Sequence, residues 1–440
     1  STSRRQRQMC IRDRQCTLHW GRMEFGNIGN YYIVEPFFRE LHRVFPESII
    51  KTTFQLSDAF MKKENIYCVP MDYYYSWTEK DLPIAYKEYA IASIYKETGS
   101  LIDTTPFIDE VISSDIVIDF SGDIFGKNAN LVGNNRFLIG LLKDRVVQLL
   151  NKPIAMIAGS PGPFDDNSIL PFAKLVFENF GLVTNREKIS KIVLKEFGFD
   201  VTKIYDLACP AFMFEAASDD IVLPLLKDTP LQKKEKPVVG FILCGWNMLQ
   251  GPFNRTDWTD EEFYSYVELI IHIIKTHDIQ ICLMSHSNGF TLSPTFNVVH
   301  GRDYPIMQQL YNILHDSDVG GAVFLMKGIY TPAETKGIIS HFDMLVSGRV
   351  HAAVAALSQS VPTTIIDYGH EPKAHKLKGF AEVAGVEEYV ADPISVDDMI
   401  RKVDRCWNNR SEIHSFLIER NKQIISDIKK NFDLLPSLLL

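Results

Sequence analysis

Towards the end of the chain an apolar run stops at a serine and a glycine, and an arginine and a histidine follow two positions apart in SGRVHAAVAALSQSVPTTIIDYG. The pattern reads as strand, turn, Ala-rich helix and second strand, which puts Arg349 and His351 in the first turn of a helix. Unpaired backbone N–H groups and the helix dipole favour an anion there. A guanidinium adds a two-pronged donor for phosphate or carboxylate, and an imidazole can carry a proton near neutral pH. The plainer account pairs Arg349 with a carboxylate and leaves His351 a satisfied buried imidazole. Three more residues follow apolar runs directly: His286 in SHSNGF, Asp123 in SGDIFG and Arg186 in LVTNRE. Singly they suit a turn, an Asx turn and a helix-start surface charge. Ligands of open parallel sheets bind beyond the carboxyl ends of the strands, so four such turns at one edge make a candidate site. GNIGN (26–30) and GSPGP (159–163) add turns where backbone can approach a ligand. Neither is a P-loop or a dinucleotide fingerprint, which removes support for NTPase and nicotinamide chemistry.

The elements that must position these residues alternate in an α/β manner, short apolar strands running into amphipathic helices. After GNIGN, Ile33, Phe37, Leu41 and Val44 recur at helical spacing, with Pro36 early enough to be tolerated. Strands are expected at 66–70, 115–120, 153–159 and 182–184, then at 238–245, 279–285, 322–328, 343–348 and 363–369. Thr259 with Glu262 and Thr331 with Glu334 each form a T-x-x-E capping box, the second supported by Pro332. The charged, Pro-punctuated stretch from Glu215 to Pro237 marks the best boundary. The expected fold is therefore α/β, two Rossmann-like doubly wound domains facing each other across a cleft. The divisions are a basic tail at 1–16 outside the fold, a first domain at 17–225, a linker at 226–236, a second domain at 237–390 and a helical segment at 391–440 that packs back on both.

Of the 440 residues 46% are apolar and 23% charged, the balance of a globular chain rather than a disordered one. The formal net charge of −9 gives nucleic acid or an anionic membrane no global attraction. No apolar run approaches the ~20 residues of a spanning helix, so no membrane span is expected. The seven cysteines, at 10, 16, 68, 209, 244, 282 and 406, contain no C-x-x-C pair and read as reduced thiols. Two N-x-S/T sequons, at Asn254 and Asn409, do not decide the compartment.

On these motifs the chain, from about Gly26 to Val390, resembles the polysaccharide pyruvyl transferases, whose architecture is like that of GT-B glycosyltransferases. The family's Asn-x-Gly-[Asp/Asn] turn is similar to Asn27, Gly29 and Asn30, and its glycine-rich turn to Ser121, Gly122 and Asp123. Its Gly-Pro turn is similar to Gly162 and Pro163, and its Arg-[Asp/Glu] motif to Arg186 and Glu187. Its post-strand histidine looks like His286, its helix-start glutamate like Glu334, and its Ser/Gly-Arg-[Leu/Val]-His-Ala hallmark like Ser347 to Ala352. Its closing Tyr…Lys…Gly pattern falls on Tyr368, Lys376 and Gly379, with Lys373 competing for the lysine's place. The chain departs from the commoner triple-glycine turn, having Ser-Gly-Asp instead.

The resemblance implies transfer of a pyruvyl group from phosphoenolpyruvate, the donor co-substrate, to two hydroxyls of a saccharide, leaving a cyclic ketal and phosphate. Neither metal nor resident cofactor is expected. Arg186 and Arg349 would clamp the donor, His351 would protonate its methylene carbon, His286 would serve the departing phosphate, and Asp123 would be the base for the acceptor. Asn27, Asn30, Ser121, Glu334 and Lys376 would bind substrate. A lipid or a nucleotide could carry the acceptor, a homo-oligomer is left open, and the implied location is the cytoplasm with a peripheral membrane position open to it. Two other readings stand beside this one: a GT-B-type glycosyltransferase using a nucleotide sugar, and a non-catalytic saccharide-binding protein.

Overall fold

A computed structural model describes residues 8–13, 28–120, 124–131, 133–248, 255, 257–291, 295–369 and 374–440. Two parallel sheets carry the chain. The first has strands β1 (Gln8–Asp13), β2 (Ile49–Thr52), β3 (Ile66–Cys68), β4 (Ile116–Phe120), β5 (Ile154–Gly159), β6 (Leu182–Asn185) and β7 (Ile204–Asp206), in the order β3-β2-β1-β4-β5-β6-β7. The second contains β8 (Val238–Ile242) and β9 (Gln280–Leu283). An antiparallel ribbon follows, β10 (Gly289–Phe290) with β11 (Val298–Val299), and the sheet resumes with β12 (Val323–Leu325), β13 (Met344–Ser347), β14 (Thr363–Ile366) and β15 (Val390–Ala391). Its order is β12-β9-β8-β13-β14-β15.

Both orders reverse direction beside the first strand of their sheet, which is the doubly wound topology the alternating pattern implied. Every residue of β4, β5, β8, β13 and β14 is buried. Helices covering both faces require this, and it explains why these strands read as continuous apolar runs.

The basic tail is a correction. Residues 8–13, expected to lie outside the fold, form β1, an interior strand of the first sheet, pairing with Ile49–Thr52 on one side and Ile116–Phe120 on the other. Backbone groups make that ladder, and an Arg-rich composition does not report on them. Composition likewise concealed β2, β7 and β15, each short and at or near a sheet margin. Pro36 lies well inside helix Gly29–Val44 rather than in its first turn, so the amide it lacks would have bonded the Tyr32 carbonyl.

The stretch between the sheets carries the short helices Asp219–Leu225 and Pro230–Lys233. It is fastened to helix Pro332–Ile339, where Ala217 N–H donates to Ala333 O at 2.9 Å and Lys336 Nζ to Phe214 O at 2.5 Å. Helix Arg410–Asp433 spans the two domains. His414 bonds Ser360 O at 2.7 Å on the second domain, while Asn431 Nδ2 donates to Ala208 O at 3.0 Å and Phe432 packs against Phe37 in the first. Among the described residues no helix is long and apolar enough to cross a membrane.

Candidate active site

The second sheet reverses between β8 and β13, and Arg349 stands at that point. β13 ends at Ser347, whose Oγ accepts the Arg349 N–H at 3.1 Å; Arg349, extended, then caps helix Val350–Leu357. His351 therefore lies in the helix's first turn, with its arginine just before it. The side chain is 17% exposed, and its guanidinium donates from Nη1 to Asp303 Oδ1 at 2.8 Å. Pairing with a carboxylate was the plainer account, and it is correct as far as it goes. The Arg349 Nε is buried and has no bond among the described residues.

Asp303, fully buried, opens helix Asp303–His315. Its Oδ2 accepts the Ser287 N–H at 2.9 Å, and its own N–H donates to Ser287 Oγ at 3.0 Å. Gly301 permits this approach, since a Cβ there would run into the Ser287 carbonyl oxygen. Ser287 follows His286 in the turn after β9, so one carboxylate ties the His286 turn to Arg349. His286 itself is fully buried and neither ring nitrogen has a bond among the described residues.

The first domain closes on this surface through the start of helix 29–44. Ile28 N–H donates to Asn288 O at 2.8 Å, and Gly29 lies directly under the His351 ring. A Cβ on Gly29 would stand 2.8 Å from the Cβ of His351, so a glycine is needed for the two helices to meet. Tyr32 fits between the two histidines, edge-on to His286 at 5.4 Å and to His351 at 6.4 Å. It stacks on Phe214 at 4.6 Å and donates its hydroxyl to Pro332 O at 3.2 Å.

Arg186 arrives from the first sheet, just beyond β6. Its Nε donates to Ser160 Oγ of the 159–163 turn at 2.7 Å, and its guanidinium lies over Phe380 at 5.3 Å. In that turn Gly162 adopts φ +106°, a conformation closed to residues with a Cβ. Beside it the loops after β4 and β5 enclose a cavity of about 430 Å³ bordered by Lys127, Asn130, Phe164, Asp165, Asn167 and Ser168.

The electrostatics follow from burial under two arginines. Burial first, then Arg186 and Arg349, push the partly open His351 imidazole down to about 3. Burial, Arg349 and His351 hold His286 well below its ordinary value. Both rings are therefore uncharged at neutral pH. Burial also lowers Arg302, with Arg349 adding repulsion, while Asp303 offsets part of that positive field. The part of these shifts that comes from Arg186 and Arg349 reports a positive local field, which is complementary to an anion.

The remaining expected residues divide. Asn30 is buried in the first turn of helix 29–44. The Glu334 carboxylate accepts the Thr331 N–H at 2.8 Å and completes the capping box, next to the Pro332 carbonyl that holds Tyr32. Lys376 is buried in helix Ala374–Ala384, and burial holds its amine well below its usual range. The same helix puts Phe380 under Arg186 and Gly379 against Glu187. Tyr368 is buried close to Cys244 and Arg349. Asn27, Ser121, Asp123 and Lys373 lie outside the described residues. Among the described residues, no three His, Cys, Asp or Glu side chains gather as a metal site. Sequence reasoning missed Tyr32, Ser287 and Asp303. An aspartate in a helix's first turn looks like an ordinary dipole partner, and only its pairing with Arg349 sets it apart.

The whole-chain fold is shared with a glycosyltransferase from Rickettsia africae ESF-5, at TM-score 0.56 and 14% identity over 99% of each chain. Anabaena Alr3699/HepE, solved in complex with UDP and glucose, aligns at TM-score 0.54 and 10% identity over 98% of each chain. The UDP-GlcNAc 2-epimerase of Neisseria meningitidis aligns at 0.53 and 11% identity over 98% of this chain and 99% of that one. These likenesses establish a two-domain GT-B architecture. In sequence, the amylovoran biosynthesis protein AmsJ of Erwinia amylovora is 22% identical over 313 residues, 70% of this chain and 69% of that protein. The family profile described as polysaccharide pyruvyl transferase matches residues 27–370, running from the turn at Asn27 through Arg186, His286 and the Arg349–His351 segment. The chain belongs to the polysaccharide pyruvyl transferase family.

Proposed function

We propose that this transferase moves a pyruvyl group from phosphoenolpyruvate to two hydroxyls of a saccharide, forming a cyclic ketal and releasing phosphate. The observation that carries the reading is the convergence of Arg349 and Arg186, one from each sheet, on the imidazole of His351. A donor with a phosphate and a carboxylate needs two fixed cations, and closure between the domains would orient it. Carbon 3 of the donor takes a proton as the first hydroxyl bonds to carbon 2. The second hydroxyl then replaces the phosphate at carbon 2. Of the two hydroxyl protons, one balances the new methyl group and the other leaves with phosphate.

His351 supplies the proton to carbon 3. Anion binding compensates the two arginines and raises its pKa from about 3 towards the working range. His286, whose two buried nitrogens have no partner among the described residues, bonds the departing phosphate. Asp123 is the base on the acceptor side. The cavity near the 159–163 turn, with amide, hydroxyl and aromatic groups at its border, suits the acceptor's sugar rings. By likeness to the amylovoran biosynthesis protein, the acceptor is an oligosaccharide unit of a bacterial exopolysaccharide. Asn30 and Lys376 bind substrate, and Glu334 shapes the helix terminus beside them.

The test is thermal stabilisation of the purified protein by phosphoenolpyruvate, UDP, CMP or GDP, repeated on Arg349→Ala. Stabilisation by phosphoenolpyruvate alone, lost in the variant, supports the reading. Stabilisation by a nucleotide instead moves the arginines to a diphosphate and the enzyme to nucleotide-sugar transfer.

A further inference from the structure

Resting on the donor reading above, we infer that Asp303 is a positioning residue, which locks the Arg349 guanidinium and the His286 turn into one rigid unit so that both meet the donor's phosphate in register. Each carboxylate oxygen has a separate task. Oδ1 holds Arg349 Nη1 at 2.8 Å, and Oδ2 holds the Ser287 N–H at 2.9 Å. The Ser287 Oγ accepts the Asp303 N–H at 3.0 Å, which closes a ring between the two residues. Because a guanidinium is planar, fixing one Nη fixes the direction of the other edge. That edge includes the buried Nε, which has no bond among the described residues. A ligand anion then meets a donor pair that loses little freedom on binding.

Asp303 also places a negative charge next to the arginine that must attract an anion. As a device for affinity alone it would be counterproductive, since removing the charge strengthens the local positive field. The geometry and the charge therefore make opposite demands, and the two roles separate experimentally. Asp303→Asn keeps the shape of the side chain. Its amide oxygen can still accept the Ser287 N–H, but its NH₂ then faces Arg349 Nη1, donor against donor. The variant frees Arg349 while retaining the turn.

Asp303→Asn is expected to bind phosphoenolpyruvate within a few-fold of the wild type, or more tightly, while kcat falls about 100-fold, the cost of roughly 1 Å of misplacement. Asp303→Glu, which restores the charge on a longer stem, should recover part of that loss. In an Arg349→Gln background, Asp303→Asn should cost no more than about twofold further, because the two residues act as one unit. A merely structural aspartate would instead multiply the losses. Relaxation of the Arg349 Nε–H in the ligand-free protein, read by ¹⁵N NMR, requires no donor: it should be rigid in the wild type and mobile in Asp303→Asn. Should Asp303→Asn fail to fold, Asp303→Glu carries the kcat and relaxation measurements, with a smaller loss of turnover and of rigidity expected because its longer stem displaces the guanidinium while keeping the pair.

An unchanged kcat in the folded variant, additive losses in the Arg349→Gln background, or an Nε–H as rigid as in the wild type overturns the proposal. Wild-type protein that binds no phosphoenolpyruvate overturns the donor reading instead, and the relaxation measurement still decides on Asp303.

Discussion

Replacing Gly29 by alanine tests whether the contact between the domains at His351 governs catalysis. The added Cβ would lie 2.8 Å from the Cβ of His351 and still closer to its Nδ1. Rotating the imidazole relieves the second clash but not the first, because the Cβ of His351 moves only with its helix. Carbon atoms pack at about 3.5–4.0 Å, so helix 29–44 and helix 350–357 must separate by about 0.7–1.2 Å. Displacement of that size at a reacting group lowers turnover by about 100-fold. Stability changes far less. Overpacking costs about 1–3 kcal/mol, and replacing a helical glycine by alanine returns about 0.5–1 kcal/mol. A net loss near 1 kcal/mol lowers the melting temperature by about 2–4 °C in a domain of this size. Phosphate release from phosphoenolpyruvate with an oligosaccharide acceptor, beside a melting curve on the same preparation, reads both quantities. Wild-type kcat in a folded Gly29→Ala protein would refute the argument, and so would a loss of activity no larger than the loss of folded protein.

Three further outcomes follow from the buried ionisable groups. His286 and His351 have folded pKa values below the unfolded value near 6.5, so their contribution to stability is present above that pH and is lost as the pH falls towards 3. Urea unfolding at pH 7.5, 6 and 5 should show His286→Asn losing stability less steeply than the wild type, by up to about 1.4 kcal/mol per pH unit; equal slopes would mean that His286 is not held neutral. Donor binding near neutral pH should take up protons as His351 charges, seen by calorimetry as a heat that varies with buffer ionisation enthalpy, and a buffer-independent heat would contradict the assigned acid. Burial lowers Lys336 to about 7, well under its unfolded value, so the wild type should gain stability as pH rises from 7 towards 10 and Lys336→Met should lose most of that gain. Matching profiles for the two proteins in thermal melts across that range would show the amine to be solvated.

Much of the site was legible because the signals are local. A capping box uses residues three apart, so Thr331 with Glu334 and Thr259 with Glu262 could be read directly, and both form. Apolar runs ending in polar turns located most strands, and the rule that ligands gather at carboxyl ends selected Arg186, His286, Arg349 and His351. The first strand was missed for the converse reason. Its place inside a sheet comes from backbone bonds to β2 and β4, which composition does not record.

By itself the sequence determined the two doubly wound halves, through strand and helix periods, and the identity of the cations and imidazoles at the sheet edges. Tertiary structure decided how those groups act on one another. The clasp of Asp303 on Arg349 and Ser287, the fit of Gly29 under His351 and the insertion of Tyr32 between the two histidines join residues far apart in the chain. Periodicity tells each segment which face to bury. It carries no information on which segment of the other domain will lie against that face, and the low pKa of His351 depends on that meeting, because burial between the domains lowers it first and Arg186 and Arg349, from opposite sheets, lower it further.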